Sequence, residues 1–157
     1  MRQKDEVVVN NSYLVTTYIT CFVTSFPVGF VLASFNQAGI IIETQKGWQH
    51  LYTVFITASG IFGLMLGSLL CDKFIAHGRI KTIYLANVII VLACVPQMAL
   101  FLWSLMLGRF MMGFAGGLAI VSCSTFMAET VPVCKLGVVG TAVNSGIIFA
   151  LLITSAI

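Results

Sequence analysis

Charge is what this sequence has least of. Only 8% of its 157 residues are Asp, Glu, Lys or Arg, against 59% hydrophobic, and the mean hydropathy is +1.05. A soluble domain of this length carries about three times that charge fraction. Too little polar surface is therefore present to wet a globule. The eight basic and five acidic side chains are also clustered, with none in 7–42, 47–71, 82–108, 110–128 or 136–157. A helix crosses a hydrocarbon core of about 30 Å with about 20 mostly apolar residues, so each window holds one crossing. Strict polar–apolar alternation is lacking as well, which disfavours a membrane barrel.

Clusters of chemically reactive side chains are equally scarce. His50 and His77 fall in loops on opposite sides of the expected bundle and share no site. A Gly-Lys-Ser/Thr phosphate loop is missing, which argues against an ATP-driven pump within this chain. The five cysteines, Cys21, Cys71, Cys94, Cys123 and Cys134, form neither a C-x-x-C pair nor a Cys/His cluster with metal-site spacing. They read as small apolar packing groups. No enzyme activity, cofactor or metal is expected. The first window also lacks the short apolar core and small-residue cleavage site of a signal peptide.

What remains is an all-α membrane protein. A polar tail over 1–12 precedes a bundle over 13–157, with spans at about 13–35, 51–71, 80–100, 103–127 and 137–157. Arg2 and Lys4 precede the first span, Lys73, Arg79 and Lys81 separate the second from the third, and Lys135 separates the fourth from the fifth. Basic loops stay on the cytosolic side, which places the N-terminus and the even-numbered connections there. The net charge of +3 then reflects topology and a lipid bilayer as partner, and gives no argument for nucleic acid. The Asn10-Asn11-Ser12 sequon falls on the side where it is not expected to be glycosylated.

Individual positions sharpen this outline. Pro27 and Gly29 predict a bend in the first span, and Asn36 and Gln37 are expected to close it before an outer loop over 38–50. Trp48 and Tyr52 suit the interface. Gly63 and Gly67, and again Gly113 and Gly117, are small residues four apart, a spacing that permits close helix approach. Phe101 to Ser104 predict a short outer turn, making the third and fourth spans antiparallel neighbours. Arg109 lies inside the fourth span, where a charge needs a partner, a wet cavity or a route to the interface. Glu129, Asp72, Lys73, Arg79 and Lys135 form a cytosolic charge belt, read either as solvated loops or as weak pairs suited to a reversible latch. Asn144, Ile147, Ile148 and Leu151 share one face of the fifth span. The amide fits either a hydroxylated solute or an interhelical hydrogen bond.

Three stretches resemble a known family. GRFMMGFAGGL at 108–118, followed by Glu129, Pro132 and Gly137, resembles the fourth-span signature of sugar porters in the major facilitator superfamily, G-R-x-x-x-G…G and then P-x-Y-x-x-E-x-x-P-x-x-x-R-G. Asp72-Lys73, with Gly78, Arg79 and Lys81, resembles the superfamily's D-R-x-G-R-[RK] loop. VGFVLASFN at 28–36 is similar to its first-span F-G-Y-[ND]…N stretch. The departures are Ser124 and Phe126 in place of Pro and Tyr, Leu136 in place of Arg beside Lys135, and three extra loop residues, Ile75, Ala76 and His77.

The resemblance implies transport of a sugar or similar small organic solute by alternating access, in a multi-pass protein expected first in the plasma membrane or else an organelle membrane. Val31 stands where proton-coupled members place an Asp, which implies a facilitative mode. Asn144 stands at the family's sugar-binding Gln, with Ile147, Ile148 and Leu151 at cavity-lining positions. Arg109 would brace the first and fourth spans, and Asp72, Lys73, Gly78, Arg79, Glu129 and Lys135 would gate the cytosolic side. The family has twelve spans in two halves with solute between them, so about five spans imply a further C-terminal half or a partner chain. A non-transporting structural subunit or transporter remnant is the alternative.

Overall fold

The computed structural model describes residues 11–46, 50–99 and 101–156. They form five helices: α1 (Asn11–Lys46), α2 (His50–Ile75), α3 (Arg79–Met98), α4 (Leu102–Thr130) and α5 (Val133–Ala156). All five contain a segment long and apolar enough to cross a membrane, and no strand occurs among the described residues. Arg2, Lys4, Asn10 and Trp48 lie outside the described residues, as do the side chains of Val31, Asn36, Gln37, Lys46 and Cys134.

Two helix ends differ from the sequence expectation for the same reason. Asn36 and Gln37 do not close the first helix: α1 runs unbroken through Pro27 to Lys46, a length of 36 residues or about 54 Å. The outer loop expected over 38–50 is therefore helical as far as Lys46. Only Gly39 interrupts the sequence before Gly47, and one helical glycine costs about 1 kcal/mol, too little to end a helix. At the other end of the bundle α4 extends to Thr130, so Glu129 sits in its last turn and not in a loop. Chain length across hydrocarbon bounds a span, whereas a helix continues until its backbone meets a stop signal.

Glycine sets the closest contacts. α4 packs along α2 and α3, while α1 packs along α5 and touches α4. A Cβ at Gly63 would overlap the Phe110 carbonyl oxygen, one at Gly67 that of Phe114, one at Gly113 that of Gly60 and one at Gly117 that of Leu64. The two glycine pairs thus meet each other across a single α2–α4 seam. A second seam of the same kind joins α1 to α5, where a Cβ at Gly29 would overlap the Ile147 carbonyl oxygen and one at Gly146 would lie 2.6 Å from the Phe22 oxygen. Hydrogen bonds follow the first seam, from Ser59 Oγ to the Met106 carbonyl at 3.2 Å and between Cys71 Sγ and Ser122 Oγ at 3.3 Å.

The outside of the bundle is apolar. Met98 is 85% exposed, Val138 72% and Val91 69%, a surface that water would penalise and hydrocarbon does not. Buried residues gather at three levels: Cys21, Cys123 and Val143 in one cluster, Val28, Cys71 and Leu118 in the next, and Ile56 with Leu105 in the third. Cys21, Cys71 and Cys123 are wholly buried within this packing.

Candidate functional site

At one end of the bundle the chain turns sharply from α2 into α3. Gly78 has φ +121°, a conformation that a residue with Cβ rarely adopts. Its backbone nitrogen donates to the Ile75 carbonyl at 2.9 Å. Thr82 Oγ1 donates to both the Phe74 carbonyl at 3.0 Å and the Gly78 carbonyl at 3.1 Å, holding the turn from α3. The extra residues Ile75, Ala76 and His77 thus finish α2 and enter the turn. The His77 ring nitrogen Nδ1 hydrogen bonds the Lys73 carbonyl at 3.1 Å.

This turn places Arg79 at the first position of α3, where its guanidinium pairs with the Glu129 carboxylate on the last turn of α4. The α2–α3 turn and the α4–α5 connection therefore share one end of the bundle, as the charge pattern requires. Asp72, Lys73 and Lys135 are exposed nearby in sequence, and among the charge belt's described members Arg79 and Glu129 form an ion pair. The opposite end is closed by the α3–α4 turn, which falls earlier than the expected Phe101 to Ser104, because α3 ends at Met98 and α4 already begins at Leu102. Ser104 lies within α4, and its Oγ donates to the Pro96 carbonyl at 2.6 Å.

Arg109 occupies a different level. It is only 7% exposed, so its side chain does not reach out of the bundle as a snorkelling arginine would. It borders a cavity of about 220 Å³ between α1, α2 and α4, walled on α1 by Val28 and Leu32 and on α2 by Thr57 and Leu64. Met112, Gly113 and Gly116 continue the Arg109 face along α4. Their offsets of three, four and seven are legible in the sequence, as are those of Thr57, Gly60, Ile61 and Leu64 on α2. The missing signal was which two faces turn toward each other.

The α5 face stands apart from that cavity. Asn144, Ile148 and Leu151 are exposed and Ile147 is half-buried against the cluster around Cys21 and Cys123. None of the four lines the Arg109 cavity. The α5 residues turned toward the bundle are instead Val139, Ala142, Val143, Gly146 and Ala150. Among the described residues no cluster of His, Cys, Asp or Glu has the make-up to hold a metal ion.

The family described as "Sugar (and other) transporter" matches residues 10–157. The chain belongs to the sugar transporter family. The match covers all five helices, so the turn around Gly78, the Arg79–Glu129 pair and the Arg109 face all fall inside it. No curated protein matches the chain. As a member of a sugar transporter family it is an integral membrane protein of a class that moves solutes and does not transform them.

Proposed function

We propose that the chain forms the N-terminal part of a facilitative transporter for a sugar or similar small organic solute, working by alternating access in the plasma membrane. A further helical bundle, covalently continuous or supplied by a partner, would complete the solute path. Asn144 would touch the solute, Arg109 would brace α1 against α4, and Asp72, Lys73, Gly78, Arg79, Glu129 and Lys135 would gate the cytosolic side. The observation that carries this reading is the Arg79–Glu129 pair, which ties the α2–α3 turn to the end of α4. Its side chains remain 38% and 41% exposed. Pairs of that kind contribute about 0–1 kcal/mol, a strength suited to a contact that breaks in each cycle.

The exposed Asn144 face supports the same reading, because a carboxamide on the bundle's surface has work to do only where a cavity or another helix meets it. Reconstitution into liposomes with labelled-solute uptake is the test. Asn144→Ala should lower uptake while leaving membrane insertion intact, and unchanged uptake would remove Asn144 from the site. Insertion without any uptake would favour a structural membrane subunit.

A further inference from the structure

The turn that aims Arg79 is held by a residue that the charge pattern does not single out. α3 starts from Gly78, which has no side chain to cap the helix. Glycine is also the freest backbone position, so Gly78 by itself leaves the direction of α3 loosely defined. The first turn of a helix lacks intrahelical partners for its N–H groups and frays unless held.

Thr82 supplies the hold. Thr17, Thr24 and Thr57 each donate one turn back within their own helices, as threonines inside helices can. Thr82 Oγ1 does the same to the Gly78 carbonyl at 3.1 Å, and it also reaches the Phe74 carbonyl of α2 at 3.0 Å. A hydroxyl has one proton to give, so two nearly equal distances mean a proton shared across the turn. The side chain is 2% exposed, which keeps water from competing for it.

Neither carbonyl depends on that hydroxyl for a partner. Phe74 also accepts from the His77 backbone nitrogen at 3.0 Å, and Gly78 from the Thr82 backbone nitrogen at 3.0 Å. Removing the hydroxyl therefore strands no buried acceptor, which is what makes most polar deletions costly. What goes is a restraint between the last turn of α2 and the first turn of α3. Arg79 lies on that first turn, and its guanidinium meets Glu129 on α4.

We infer that Thr82 is a positioning residue of the Arg79–Glu129 contact, its shared hydroxyl fixing the start of α3 against the end of α2 and so holding Arg79 toward α4. The inference adds a buried neutral residue to the charge belt. It rests on the transporter reading only for that contact being a gate.

The test uses the full chain in lipid nanodiscs and follows, by mass spectrometry, the rate at which p-hydroxyphenylglyoxal modifies Arg79. The reagent attacks an unpaired guanidinium faster than a paired one. Thr82→Val keeps the branched shape without the hydroxyl and should raise the rate about five-fold, the weight of one hydrogen bond. Thr82→Ser keeps the donor and should hold the unaltered rate. Glu129→Gln should raise the rate too, and Thr82→Val added to it should raise it no further, whereas general loosening of the bundle would. An unchanged rate in Thr82→Val, an equal rise in Thr82→Ser, or a further rise on top of Glu129→Gln would each overturn the proposal. So would a Glu129→Gln rate equal to that of the unaltered chain, because no pair would then exist to position. Thr82→Ala replaces Thr82→Val if the latter gives no monodisperse protein. Failure of both would overturn the proposal, by showing that the hydroxyl holds the bundle and not one side chain. Uptake into liposomes separates the two readings. Arg79 reactivity that follows Thr82 while uptake ignores both Thr82→Val and Glu129→Gln sinks the gate and leaves the positioning role. Uptake that responds to Glu129→Gln while Arg79 reactivity ignores Thr82→Val does the reverse.

Discussion

Arg79 and Glu129 show how little energy a partly exposed ion pair contributes. Their pair joins the start of α3 to the last turn of α4 with both side chains partly in solvent, so screening leaves it a small share of the fold's stability. Glu129→Gln should therefore shift the unfolding midpoint by no more than about 1 kcal/mol worth of stability, read by thermal unfolding in detergent. The same substitution should change solute uptake in liposomes several-fold if the pair opens during the cycle. A large loss of stability would show that the contact is a permanent clasp. The two residues were legible in the sequence because both lie in short charged islands between long apolar runs. Their pairing was one of several in that belt, since only the turn at Gly78 aims Arg79 toward α4.

At the scale of the helix, small residues decide which elements touch. The spacing of Gly63–Gly67 and Gly113–Gly117 identifies two smooth faces, and the structure places those faces against each other with backbone in contact. The α1–α5 seam was less legible. Gly29 and Gly146 lie in separate helices, and neither has a second glycine four residues away to announce an interface. A contrast tests the glycine argument directly. Gly113→Val must push α2 from α4, because even a Cβ there would overlap the Gly60 carbonyl. We expect it to destroy the monodisperse size-exclusion peak. Gly137→Ala meets nothing within 4 Å and should leave that peak unchanged or raise stability by about 0.5–1 kcal/mol through helix propensity. Equal behaviour of the two variants would discard the seam.

For the whole molecule, the governing fact is that both the charge pattern and the packing divide the bundle into the same two ends. Single cysteines introduced in a cysteine-free background at His77 and Lys135 should react with a membrane-impermeant maleimide from one side. A cysteine at Phe101 should react from the other side. Labelling of His77→Cys and Lys135→Cys from opposite sides would dismantle the topology and the roles assigned to it. Helix number, family and the sharing of one bundle end by the α2–α3 and α4–α5 connections were readable from the sequence, because hydrocarbon imposes length and apolarity on each segment separately. The continuation of α1 to Lys46 was not, since the end of a helix depends on backbone stop signals that hydropathy does not register. Nor were the pairing of α1 with α5, the exposure of Asn144 and the cavity beside Arg109. These depend on which faces of different helices meet, and an all-apolar helix carries no amphipathic stripe to say which face turns inward.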